Sequence, residues 1–285
     1  MKPEAVVRAE RLLGGQAESW RRVESRGWTR NEHWTIVLRG GARAFLKEAW
    51  VPPSPEWLRQ EAEVLSLVRG PFAPELLAFE DGERPLLVLE DLSDGPHWPP
   101  PWRPGDVEAV LATLEEVAAL RVDSLPRLEA LPGWHEVADD PALFLSLGFA
   151  SAGWLERALP ELLAAQDGVD TSGDALLHAD VRSDNLCIRD GRAVLVDWNH
   201  ACLGHPELDV AAWLPSLALE GGPGPREVGR ADEFAAHVAG YFAALAGLPP
   251  PEGAPRVRGF QLAQLGVALP WACAVLGLEP PDLLR

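Results

Sequence analysis

The sequence predicts an α+β fold in two unequal lobes, a small sheet-rich one over residues 1–92 and a larger, mostly helical one over 93–285. Three observations predict it. Apolar runs of β type concentrate in the first ninety residues. A turn-rich stretch, SDGPHWPPPWRPGD from Ser93, then interrupts the pattern as a linker or hinge. Beyond it, apolar residues recur at three- and four-residue spacing, the signature of helices. A chain of 285 residues with 47% apolar content is large enough for two lobes and a sizeable core.

The elements follow in order. MKPEAVVRAERLL at the start is amphipathic and charged with no apolar h-region, which excludes a signal peptide. HWTIVLRGGARAFLKEAW carries two strand-type runs, 34–38 and 44–47, joined at Gly40 and Gly41. PPSPEWLRQEAEVLSLV places Leu58, Ala62, Leu65 and Val68 at helical spacing and is the one helix expected in this lobe. LLVLEDL at 86–92 reads as its last strand. In the second lobe, helices are expected over DVEAVLATLEEVAALRV, over ALFLSLGFASAGWLERALPELLAAQ with a break at Gly153 or Pro160, over ADEFAAHVAGYFAAL, and over 260–278. A hairpin with strands at 186–188 and 193–196 is embedded among them. The segment 262–278 is the most apolar, but Gln264 and Pro270 favour a buried helix over a membrane span.

A formal net charge of −18 argues against a nucleic-acid partner and against an anionic membrane surface. The same charge would attract a cationic small molecule. Cys187, Cys202 and Cys273 form no CxxC pair and are odd in number, which fits a reducing cytoplasm rather than a disulfide framework. The twelve tryptophans stand against one tyrosine, and each is expected mainly as core or lid packing.

The chemistry concentrates in LLHADVRSDNLCIRDGRAVLVDWNHACLGHPELD, from residue 176. His178 and Asp180 open a loop, Asn185 follows the aspartate by five positions, and the hairpin leads directly into Asp197. A loop of this kind can aim Asp180 at a substrate hydroxyl and turn the Asn185 amide oxygen towards a cation. The returning strand delivers Asp197 to the same cleft, so that hard oxygen donors converge, as Mg²⁺ prefers. The bland alternative is an acidic surface hairpin with turn-capping residues. Asp184 and Asp190 fit that description, and His200 and His205 are expected to be packing or surface groups.

The order of these residues resembles the protein-kinase template H-R-D-x-x-x-x-N followed by a metal-holding aspartate. It is closer to the aminoglycoside phosphotransferase and choline kinase-like family, whose loop reads roughly H-G-D-x-x-x-x-N. Here Ala179 takes the glycine position, and the metal-site tripeptide is Asp-Trp-Asn. Gly204 to Asp209 is similar to that family's downstream G-[D/H]-P-x-x-D segment. The resemblance implies a bilobal protein-kinase-like fold and transfer of a phosphoryl group from ATP or GTP, with Mg²⁺, to a hydroxyl of a small molecule. It implies Asp180 as catalytic base, Asn185 and Asp197 as metal ligands, Asp209 as a structural acid tying the loop down, and His178 as a structural histidine.

A kinase-like site also needs a strand lysine and a helix glutamate. Lys47 ends an apolar strand and fits the first. At about 100° per residue, Glu61 lies in the apolar direction of the next helix and Glu63 points away, so Glu61 is the expected partner. SRGWTRNEHW offers only Gly27 for a phosphate loop, and the crossing segment Glu90-Asp91-Leu92 is expected against the purine. Glu207, Trp213, Glu220 and Trp271 are candidates for the acceptor, which an acidic pocket would make an amine-bearing sugar, an aminoglycoside or a choline-like cation. Two other readings stay open: a catalytically silent nucleotide-binding protein, and a metal-dependent phosphoesterase using Asp180, Asp197, Asp209 and His178.

Overall fold

Period-two alternation decides which way the first sheet faces. The structure, a computed structural model, describes residues 1–24, 31–122, 124–251 and 254–283. Helix α1 (Glu4–Leu13) leads into strands β1 (Ala17–Val23), β2 (Glu32–Leu38) and β3 (Arg43–Glu48). Helix α2 (Ser54–Leu67), β4 (Leu76–Glu80) and β5 (Leu86–Glu90) follow. The five strands form one antiparallel sheet in the order β1-β2-β3-β5-β4. Ala44 and Leu46 of β3, with Leu86 and Val88 of β5, pack under Ala5, Val6 and Ala9 of α1. The alternate residues, Phe45, Leu87 and Leu89, join the larger core on the opposite face, which is the face Lys47 shares.

The expectation of a single helix in this region is corrected by α1. Its sequence is amphipathic, but ten residues are too short for a helix to stand alone, so its fit depends on the sheet it covers. Arg8 clamps it there through Glu48 at 2.9 Å and Glu80 at 2.6 Å. Strands β1 and β4 were also not foreseen. β1 is almost wholly exposed at the sheet edge, so it carries no apolar alternation to read.

The remaining chain is mainly helical. Helices α3 (Asp106–Ala118), α4 (Trp134–Asp139), α5 (Pro141–Ser146) and α6 (Ala152–Gly168) precede strands β6 (Ala175–Leu177), β7 (Leu186–Arg189), β8 (Arg192–Leu195) and β9 (Cys202–Gly204). Helices α7 (Leu208–Leu219), α8 (Pro225–Val228), α9 (Ala235–Leu245) and α10 (Val257–Leu276) complete the order. β7 and β8 form the expected hairpin, and β6 pairs with β9. The break expected at Gly153 or Pro160 instead falls between α5 and α6. Gly148 adopts a left-handed φ of 77° there, Ser151 caps α6 by accepting from Trp154 N–H, and Pro160 lies within the helix. Helix α7, also unforeseen, is buried nearly all round, so it lacks the amphipathic stripe that betrays a helix. Helix α10 is long and apolar enough to cross a membrane by length and composition, and 44% of that window is buried inside the protein. The proline-rich segment after β5 is pinned to the hairpin: His97 and Ile188 exchange backbone hydrogen bonds of 2.8 and 2.7 Å.

Trp198 sits at the centre of the larger core, fully buried, with its indole N–H donating to Leu195 O at 2.8 Å. Its ring meets His178 edge-on at 4.7 Å and also packs on Phe72. Trp198→Ala is expected to cost about 3–5 kcal/mol of unfolding free energy. Urea denaturation measures this, and a loss below about 1 kcal/mol would contradict the packing role.

Candidate active site

The loop after β6 is built from backbone amides that find one buried acid. Asp209, in the first turn of α7, accepts from His178 N–H at 2.7 Å and from Ala179 N–H at 2.8 Å. Burial raises its carboxyl pKa against the opposing pull of His178 and these two amides. His178 is fully buried, and burial pushes its imidazole pKa below the ordinary value despite nearby acids. The ring is therefore neutral, with Nε2–H donating to Val196 O at 2.9 Å and Nδ1 accepting from Asp180 N–H at 3.3 Å. Ala179 holds a left-handed φ of 62°, a conformation that costs a residue with a Cβ about 1 kcal/mol.

This scaffold turns Asp180 into a cavity. Asn185, at the end of a 3₁₀ turn (Ser183–Asn185), donates its amide to Asp180 O at 2.9 Å and to Asp180 Oδ2 at 2.8 Å. Arg182 lies between two acids, 3.5 Å from Asp180 Oδ1 and 3.0 Å from Asp184 Oδ1.

On the opposite wall, Lys47 of β3 is 6% exposed and Glu61 of α2 is 2% exposed. The ammonium donates to both Glu61 oxygens, at 2.7 and 2.9 Å, and also to Asp197 Oδ1. Burial alone would lower the lysine pKa, but the charges of Asp197 and Glu61 outweigh it and raise it. Burial raises Glu61. At Asp197 burial acts upward, yet the adjacent Lys47 brings the net shift down. Asp197 itself adopts a left-handed φ of 63° just after β8, which swings its half-exposed carboxylate out of the hairpin. Glu63 is exposed, as its helix phase requires.

Lys47, Glu61, Asp180, Asn185, Asp197 and Asp209 all line one cavity of about 1050 Å³. Glu90 and Leu92 line it as well, with the Glu90 carboxylate paired to Arg189. Gly27 lies outside the described residues, whereas Asn31 reaches the cavity wall. The four acceptor candidates do not line it and are corrected. Glu207 is held by Arg230 at 2.6 Å, and Glu220 accepts from Ser183 Oγ at 2.7 Å behind the loop. Trp213 is fully buried against Trp102, and Trp271 donates to Asp232 at 2.8 Å. Each helix turns these side chains into the core or outward. Sequence reasoning missed the residues that do form that wall, including Arg182, His237, Tyr241, Phe260 and Gln261. Only the i, i+4 spacing of His237 and Tyr241 along α9, and of Phe260 and Gln264 along α10, hinted at a shared face.

Among the described residues no group of three or more His, Cys, Asp or Glu side chains could hold a metal ion alone. Asn185 and Asp197 supply one amide and one carboxylate, a donor set that suits Mg²⁺ only when phosphate oxygens complete it. The two-metal phosphoesterase alternative loses ligands, because His178 and Asp209 are committed to backbone groups.

Two expectations follow from these charges. Lys47→Met should cost about 3–5 kcal/mol, because Glu61 is left buried and uncompensated, and adding Glu61→Leu should recover most of the loss. Chemical denaturation of both variants tests this; a double variant as unstable as the single one would refute it. His33 of β2 lies opposite Lys47, and its pKa falls to about 4 through burial and the lysine charge. The unfolded chain takes up this proton below pH 6.5 while the native protein resists until about 4. Wild type should therefore lose stability relative to His33→Gln as pH falls through that window, and parallel unfolding curves would overturn the assignment.

Comparison with known proteins bears on the fold and the family. The chain is similar in structure to a choline/ethanolamine kinase family protein from Mesorhizobium loti, at 16% identity and a TM-score of 0.59, covering 96% of this chain and 98% of that one. An amicoumacin kinase in complex with AMP-PNP and Ca²⁺ gives 12% identity and 0.53, over 98% and 95%. A macrolide 2′-phosphotransferase from Brachybacterium faecium gives 16% and 0.52, over 98% and 99%. At such identities the likeness speaks for the fold, which is the protein-kinase-like α+β fold that the loop motif implies. No curated protein matches the chain. Residues 25–252 match the profile of the phosphotransferase enzyme family, and with most of its length inside that match the chain belongs to this family.

Proposed function

We propose that the protein transfers the γ-phosphoryl group of ATP or GTP to a hydroxyl of a small molecule. One observation carries the reading: a strand lysine, a helix glutamate and the two acids of a separate hairpin and loop converge on a single cavity. In this reading residues 1–92 hold the nucleotide, and residues 93–285 supply the catalytic loop and the acceptor wall. Glu90 N–H already donates to Glu75 O at 2.9 Å, so the purine edge falls to the backbone of Asp91 and Leu92. Lys47, held by Glu61, faces the α- and β-phosphates.

Asn185 and Asp197 would hold Mg²⁺, which would supply positive charge to offset the negative charge on the transferred phosphoryl group. Asp180 orients the acceptor hydroxyl and takes its proton as the phosphoryl group leaves the nucleotide. Its carboxylate is steadied by the Asn185 amide and stays accessible from the cavity. The transition state is loose, so positioning and charge account for most of the catalysis.

A coupled ADP-release screen against sugars, amino alcohols, choline and aminoglycosides tests the activity, with thermal-shift titration of Mg·ATP and Mg·GTP beside it. Asp180→Asn should lower kcat by about 10²–10⁴-fold while leaving nucleotide affinity near wild type. Asp197→Ala should abolish magnesium-dependent nucleotide binding. Full turnover by the Asp180 variant would remove the assigned base.

A further inference from the structure

The acceptor end of the cavity differs in character from what the net charge of −18 leads one to expect. Beyond Asp180 its walls are two helix faces: His237 and Tyr241, one turn apart on α9, and Val257, Phe260, Gln261 and Gln264 along α10. We infer that the acceptor is an uncharged, hydroxylated molecule with an extended apolar face, and not a polyamine or a quaternary amine. This rests on the phosphotransfer reading above and names the substrate class of the same site.

Charge makes the first argument. Among the described residues, the acids lining this end are Asp180 and Asp184, and Arg182 is paired with both. The one surplus negative charge is then that of Asp180, which the transfer itself requires. An aminoglycoside entering here would bring several ammonium groups, and among the described residues only Asp180 and Asp184, both on Arg182, could replace their water. A single quaternary amine meets competition on the Phe260 face, which already carries a cation. The Arg182 guanidinium sits 5.7 Å from the centre of the Phe260 ring.

The second argument is the chemistry the wall does offer. Burial keeps the Tyr241 phenol protonated and the His237 imidazole neutral. His237 Nε2 is buried and has no hydrogen-bond partner among the described residues. Gln261 accepts from Arg258 at 2.8 Å through its oxygen, which leaves its NH₂ available. Gln264 donates to Ser216 Oγ at 2.9 Å, which leaves its carbonyl available. Neutral donors and acceptors beside aromatic carbon suit hydroxyl and ether oxygens on an otherwise apolar skeleton.

Equilibrium binding by calorimetry decides the matter, with neutral probes (phenyl and naphthyl glucosides) against cationic ones (kanamycin, spermidine, choline), each with and without Mg·AMP-PNP. At least one neutral probe is expected to bind about tenfold more tightly than every cationic one. Tyr241→Ala and Phe260→Ala should weaken that binding about tenfold while Mg·AMP-PNP affinity stays within about twofold. Gln261→Glu, which removes no packing, should shift preference about tenfold towards the cationic probes. Tighter binding of any cationic probe, no binding of the neutral ones, or indifference to Tyr241→Ala and Gln261→Glu would overturn the inference. If wild type fails to bind Mg·AMP-PNP, the phosphotransfer reading falls, while the probe preference measured without nucleotide still decides this one.

Discussion

The buried ammonium of Lys47 is the constraint on which the site depends. Removing a charge from water is costly, and only good geometry with opposite charges offsets it. Here Glu61 and Asp197 do so from two directions. One acid comes from the helix packed on the sheet, and the other from just after β8, 150 residues from Lys47 in the chain. The ion cluster therefore fastens the sheet to the hairpin and leaves the lysine aimed into a shared cavity. Strand alternation makes this possible, because the neighbours of Lys47 on β3 face the opposite way and bury under α1.

A second anchor, independent of the first, shapes the loop that carries Asp180. Asp209 gathers the amides of His178 and Ala179, while the neutral His178 ring bridges Val196 and Asp180. All of these polar groups are satisfied by one another, so the loop needs no flexible side chain to define it. The strain at Ala179 and Asp197, both left-handed without being glycine, is held by this surrounding network. Such rigidity keeps a carboxylate in place before any ligand arrives, which is what a positioning-dominated reaction requires.

Overall acidity and site character turn out to be separate properties. Much of the negative charge lies in exposed or paired acids such as Glu207 with Arg230 and Glu116 with Arg192. The cavity wall beyond Asp180 carries aromatic and amide side chains from α9 and α10. Net charge thus describes solubility and long-range attraction, and the lining residues describe recognition.

Much of the site was legible in the sequence because it is encoded locally. The run H-A-D-x-x-x-x-N, the hairpin turn at Asp190 and Gly191, and Asp197 after an apolar strand are short-range patterns. Backbone geometry allows them few arrangements. The choice of Glu61 over Glu63 likewise followed from helix phase alone. The edge strand β1 and the all-round buried α7 left no period to read, and the amphipathic α1 is too short to stand without its sheet, since the stability of all three comes from partners distant in sequence. The same holds for the acceptor candidates: Glu207, Trp213, Glu220 and Trp271 have suitable chemistry but point elsewhere. Local sequence determined which groups could do the chemistry. Only long-range packing decided which of them face the cavity, because a side chain's direction is set by the element its own element packs against.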